Sequence, residues 1–288
     1  MITLTKNNYL RYSGSGETFK VDVDKLPVAN NYYKESIIAA EEIYSLKQGK
    51  LNILYSGGVD SEYVLSLFLE LGMEIHPVII KLGNYNNHDL DYAFKFCNSK
   101  NLTPTVLDID FDNFVRTGKM LEVAIETKSS VYHRSATCYA FSKIDGTVLL
   151  GGGDLYMRPD SNMTWNLEHY EHDFAGWNYF QKYGIYGTTN FLRYTPEMFS
   201  AYVTDSRFQE LSQNLHPGKL GSNSSKIYVM NRHSPFKLEE RTKYHGYENI
   251  EKSDIFNHED FKTLTELGNS YNGLVSLNYQ EFIKQNIE

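Results

Sequence analysis

Ser56-Gly57-Gly58-Val59-Asp60-Ser61 stands directly after the apolar run Leu51-Asn52-Ile53-Leu54-Tyr55. It stands directly before Glu62 to Leu71, whose apolar residues recur at helical spacing. A glycine-rich turn between a buried strand and a helix favours an anion. Two glycines remove the Cβ atoms that keep backbone N–H groups away from a ligand, the hydroxyls of Ser56 and Ser61 add donors, and the helix N-terminus adds partial positive charge. Asp60 has the wrong sign for direct contact with phosphate, so its presence predicts a divalent cation, Mg²⁺, between carboxylate and phosphates. The loop reads as a Mg-nucleotide site.

Outward from this loop the pattern alternates. A strand over 51–55 and a helix over 62–71 are followed by a strand over 74–81, a helix over 89–100 and a strand over 105–108. Strands that read as nearly continuous apolar runs belong to a parallel sheet covered on both faces, so the fold class is α/β, a doubly wound parallel sheet of Rossmann-like kind. Ligands in such folds bind at the carboxyl ends of the strands. A further helix over about 130–144 leads to the strand Thr147-Val148-Leu149-Leu150, which ends in Gly151-Gly152-Gly153-Asp154. This repeats the logic of the first loop: Gly152 and Gly153 allow close backbone approach, and Asp154 offers a carboxylate.

The flanks are less regular. Residues 1–48 are expected to form a hairpin and a helix, and 49–247 the nucleotide domain, with an aromatic specificity insertion over 155–225. Residues 248–288 are expected as a helical extension. Thr195 before Pro196 predicts a helix start with an N-cap and a proline at the first position. The cluster Glu168-His169-Tyr170-Glu171-His172-Asp173 lacks a third zinc ligand at a recognisable spacing and reads as a solvated helical turn. Tyr228-Val229-Met230 reads as a short strand.

Composition narrows the function. The chain has 288 residues, a net charge of −8 from 28 Lys plus Arg against 36 Asp plus Glu, and two cysteines, Cys97 and Cys138. Binding a polynucleotide relies on many neutralised phosphates, so no nucleic-acid partner is expected. No apolar run is long enough for a membrane span and no signal core opens the chain, which predicts a cytoplasmic protein without membrane attachment. Two cysteines exclude a disulfide framework and a Cys-x-x-Cys metal site.

The hexapeptide 56–61 resembles the SGGxDS loop of the PP-loop ATP pyrophosphatase superfamily, and the layout is most similar to the asparagine synthetase and β-lactam synthetase branch. That resemblance covers about residues 50–155 and, weakly, 228–247. It implies ATP cleavage between the α and β phosphates, with ATP and Mg²⁺ as cofactors. Ser56, Gly57, Gly58, Asp60, Ser61, Gly152 and Gly153 would hold the nucleotide, and Asp60 and Asp154 the metal. In the branch a Gly-x-Gly-x-Asp-Glu string is usual, and here Leu155 follows the aspartate. The superfamily also implies a basic residue after a C-terminal proline turn that faces the phosphates; Lys237, Arg241 and Lys243 match by layout. The superfamily's 7-cyano-7-deazaguanine synthases carry a cysteine zinc cluster, and the cysteine count sets them aside.

Arg134, just inside the helix before the second glycine loop, either binds a substrate carboxylate bidentately or caps its helix surface. Both readings stand open. The implied activity is an AMP-forming ligase that adenylates a small carboxylate and transfers it to a nitrogen nucleophile to make an amide. A fused glutaminase would have cysteine after the initiator methionine. Ile2 stands there, so the nitrogen is expected from ammonia, a small amine or a separate protein, with the chain alone or as a homo-oligomer. The alternatives are a nucleobase- or tRNA-modifying PP-loop enzyme, by amidation or thiolation, and an ATP-binding module without turnover.

Overall fold

The structure, a computed structural model, describes residues 10–13, 20–23, 27–152, 156–159, 165–170, 175–206, 222–239, 241, 248–271, 274–278, 281 and 284. Its centre is a five-stranded parallel sheet. β3 (Leu51–Leu54) pairs with β4 (His76–Leu82) on one side and with β6 (Thr147–Leu150) on the other; β5 (Thr105–Ile109) lies beyond β4, and β9 (Gly187–Thr188) beyond β6. All four residues of β3 are buried, as the middle strand of such a sheet requires. Its one polar side chain is satisfied: Asn52 Nδ2 donates to Asp145 O at 2.8 Å, tying β3 to the start of β6.

Helices cover both faces. On one, α1 (Tyr32–Leu46) and α2 (Val59–Glu70) share a core of Ala39, Ile43, Tyr63, Leu67 and Phe68 with Met198 and Phe199 of α8 (Pro196–Val203). On the other, Phe111, Phe114, Met120, Ala136 and Ala140 fill the space beneath α4 (Phe111–Arg116), α5 (Lys119–Thr127) and α6 (Tyr132–Phe141). Burying a large side chain of this kind is worth about 1.5–3 kcal/mol, and these clusters hold the sheet between its helices. No helix among the described residues is long and apolar enough to cross a membrane.

From β3 the chain builds outward through β4 to β5, then returns to the far side of β3 for β6. The strand order therefore reverses between β3 and β6. In open α/β sheets the crevice at that reversal, beyond the carboxyl ends, is the ligand position. Both glycine loops open from it.

Several local expectations change. The segment 111–127, between the strand over 105–108 and the helix over about 130–144, holds α4 and α5. Asp110 caps α4 by accepting from Asn113 N at 3.1 Å, and Gly118, at φ +72°, turns the chain between the two helices. Residues 168–170 are not a helical turn: they lie in β8 (Trp165–Tyr170), between β7 (Tyr156–Pro159) and the C-terminal strand Leu274–Asn278. One partner, β7, is close in sequence, but the other, Leu274–Asn278, lies about a hundred positions away and outside any local window. Residues 171–173 lie outside the described residues. The helix that Thr195 and Pro196 open runs over Pro196–Val203. Tyr228-Val229-Met230 is helical, within Ser222–Asn231. There Lys226, Ile227, Val229 and Met230 are buried and Tyr228 is exposed, which is helical spacing. The stretch 248–288, expected as helical, contains the helix Glu259–Tyr271 and then the strand Leu274–Asn278. β9 lies within 155–225, so part of that stretch belongs to the central sheet.

Candidate functional site

The chain leaves β3 through Tyr55, whose N–H donates to Val78 O at 2.8 Å, and turns at once. Gly57 takes φ +81°, and a Cβ there would lie 2.4 Å from Asp89 O, so glycine is required by conformation and by space. Gly58 caps α2 with extended backbone. The serines brace the turn: Ser61 Oγ accepts from Ser56 N at 3.2 Å and donates to Gly58 O at 3.0 Å, while Gly58 N donates to Ser56 Oγ at 3.3 Å. The expected role of the two hydroxyls as donors to a ligand is thus joined by a structural one, closing the loop ahead of the helix.

The second loop lies against the first. A Cβ on Gly151 would sit 2.9 Å from the carbonyl carbon and oxygen of Asp60, and one on Gly152 would sit 2.3 Å from Thr189 O. Gly152 O also accepts from Leu192 N at 3.0 Å. Gly153 and Asp154, the expected backbone contact and second metal ligand, lie outside the described residues.

Between the loops opens a cleft of about 310 Å³, at the small end of the range for ligand sites. Ser56, Asp60, Ser61, Gly151 and Gly152 form its polar end, and Val78, Ile80 and Leu82 of β4 an apolar wall. His133, Arg134 and Thr137 of α6 line it as well, with Asp89 from α3 (Asn87–Ser99). Arg134 thereby lines the same cleft as the Ser56–Ser61 loop.

Two basic residues from the C-terminal third reach the first turn of α2. Lys226 Nζ lies 2.7 Å from Asp60 Oδ2, with only 5% of the lysine side chain exposed. Arg241 pairs with Glu62 Oε2, which also accepts from Tyr55 Oη at 2.7 Å, and its guanidinium lies 5.1 Å from the centre of the Tyr92 ring. Burial, then the charge of Glu62, raises the Tyr55 hydroxyl far above its ordinary range. For Arg241 burial opposes the charge, but the hydrogen bond and charge of Glu62 outweigh it and raise the pKa. Arg241 is therefore an ion-pair partner of α2. Its backbone and that of 237–239 are irregular. Lys237 is exposed, donating to Asn231 O at 3.1 Å, and Lys243 lies outside the described residues. Sequence reading missed Lys226. Its signal was the helical spacing of 226, 229 and 230, hidden by the β-forming run 228–230.

The metal expected at Asp60 meets a different donor set. Among the described residues no group of three or more His, Cys, Asp or Glu side chains is placed to hold an ion. One oxygen of Asp60 already faces the Lys226 ammonium. Cys97 and Cys138 are free and buried in separate parts of the core.

No protein-family model matches the chain. Among curated proteins it is similar to the 7-cyano-7-deazaguanine synthase of Marinobacter nauticus, 28% identical over 127 residues, covering 38% of this chain and 58% of that one. It is 28% identical to the synthase of Pseudoalteromonas atlantica over 83 residues, covering 29% and 38%. With that of Alteromonas mediterranea it shares 31% over 80 residues, covering 28% and 37%. The chain thus spans between 37% and 58% of the length of these relatives. The expectation shifts accordingly. The cysteine count set those synthases aside in favour of the asparagine synthetase branch, and the similarity restores them.

Proposed function

We propose that this protein is an ATP-dependent enzyme of the PP-loop kind that modifies a small nucleobase-like heterocycle, releasing AMP and pyrophosphate. The observation that carries this reading is the meeting of the Ser56–Ser61 loop and Gly151–Gly152 at the strand-order reversal, around one cleft. The loop amides and the α2 N-terminus would receive the polyphosphate, and the apolar β4 wall would take a flat ring. Similarity to enzymes whose name records a deazaguanine product supports this alternative over a general amino-acid-type ligase.

The finer chemistry follows from that product. A nitrile carbon stands at the oxidation level of a carboxylate, so no oxidant is needed to reach it. Transfer of AMP to a carboxylate oxygen with release of pyrophosphate, then attack of ammonia and departure of AMP, would give an amide; repeating the transfer on the amide oxygen and losing AMP and a proton from nitrogen would give the nitrile. The protein contributes by holding the reactants together in the cleft and by stabilising the charge that develops on phosphorus. Arg134 would orient the acceptor's carboxylate, because its guanidinium suits bidentate recognition and it lines the same cleft as the loop.

The test is incubation of the protein with ATP, ammonium and 7-carboxy-7-deazaguanine, with nucleotide products resolved by chromatography. AMP and pyrophosphate appearing only with the carboxylate supports the reading. ADP and phosphate as first products would sink it.

A further inference from the structure

A carboxylate in the first turn after a phosphate loop raises a question of charge. The sequence answers with Mg²⁺, but the structure places another cation on Asp60. Lys226 reaches it from the helix Ser222–Asn231, which is fixed in the core through Ile227, Val229 and Met230. Asp60 lines the cleft while Lys226, 5% exposed, stands behind it. A buried ammonium held in this way does not leave readily, since the pairing offsets the cost of its desolvation. Glu62, the next acid along, is matched in the same manner by Arg241 from the same part of the chain.

We propose that Lys226 is the cation that makes the loop acceptable to a polyphosphate, so that nucleotide binding rests on the Asp60–Lys226 pair and needs no metal ion at Asp60. This builds on the reading of the loop as an ATP site. An uncompensated carboxylate would repel phosphate and oppose the N-terminal field of α2. Paired with an ammonium, it leaves that field and the loop amides to act. Lys226 acts through Asp60 and is a positioning residue.

Calorimetric titration of the full-length protein with the α,β-methylene analogue of ATP, in EDTA and in excess Mg²⁺, tests this. The unmodified protein is expected to bind the metal-free analogue within about threefold of its affinity in Mg²⁺, whereas Lys226→Met should lose at least about tenfold in EDTA and recover with Mg²⁺. The double variant Asp60→Asn/Lys226→Met removes both charges and should bind without metal dependence. It carries the test if the single variant does not fold. Strict Mg²⁺ dependence of the unmodified protein, binding in EDTA by Lys226→Met as tight as the unmodified protein's, or a loss of about tenfold in EDTA by the double variant overturns the proposal. Binding under neither condition by a folded protein removes the ATP reading, and this inference with it.

Discussion

Gly151 and Asp60 abut across two loops that are 91 positions apart in sequence: a Cβ added to Gly151 would lie 2.9 Å from the Asp60 carbonyl oxygen. The end of β6 and the start of α2 are therefore packed as one piece. Gly151→Ala should push the first turn of α2 outward, lowering stability by about 1–3 kcal/mol and weakening ATP binding together. Gly72→Ala is the control. Gly72 has a positive φ, at +65°, which Gly151 lacks, but an added Cβ meets nothing within 4 Å, so it should cost only about 1–2 kcal/mol and spare binding. Urea unfolding and calorimetry would separate the two.

At Gly57 strain and collision coincide, with φ +81° and a Cβ position 2.4 Å from Asp89 O. Gly57→Ala is expected to be the most damaging single-methyl change in the loop, costing about 3 kcal/mol or more, because backbone cannot swing aside as a side chain does. A denaturation midpoint equal to the parent's would contradict the loop geometry.

Arg241→Met would strand Glu62, whose side chain is 8% exposed, beside the Tyr55 hydroxyl. A loss of about 3 kcal/mol is expected, and adding Glu62→Gln should return part of it. Full additivity of the two substitutions in thermal or urea unfolding would show that the pair is not coupled.

Burial pushes the Cys97 thiol up to about 11, and that of Cys138 to about 12 although Arg134 pulls it down, from an ordinary value of 9.0. Above pH 9 the unfolded chain releases these protons while the folded one keeps them, so stability falls as pH rises through the window from 9 toward 12. Below pH 9 the two thiols should contribute no slope. Replacing both by alanine should flatten the alkaline limb of a stability–pH curve, after allowance for the cavities left. Both thiols should also resist a disulfide reagent at pH 8 until the protein is unfolded.

With a net charge of −8, the protein should show no sub-micromolar, salt-sensitive affinity for tRNA in a mobility assay at physiological salt. Such affinity would redirect the acceptor from a free heterocycle to one within RNA.

What the sequence reveals here depends on the range over which each feature is decided. β3, α2 and β6 are set by local apolar runs and glycines, and the structure finds them within a few residues of where the pattern puts them. That the sheet is parallel and covered on both faces follows from those elements, while its strand order does not. Arg134 was legible because α6 leads directly into the second loop. Lys226 was not, because its meaning depends on a partner in the first quarter of the chain. The same holds for β8, whose pairing with Leu274–Asn278 spans about a hundred positions, and for Arg241, which a layout argument aimed at phosphate and the fold turns toward Glu62.

The two ion pairs on α2 join residues separated by 166 and 179 positions. During synthesis the phosphate loop emerges early, and its acids wait for cations that leave the ribosome much later. Non-local closure of this kind is the slow part of folding. A nascent chain halted before Lys226 would present the loop without the Asp60–Lys226 and Glu62–Arg241 pairs. Nucleotide competence is therefore expected to arise late, as one of the last properties this chain acquires.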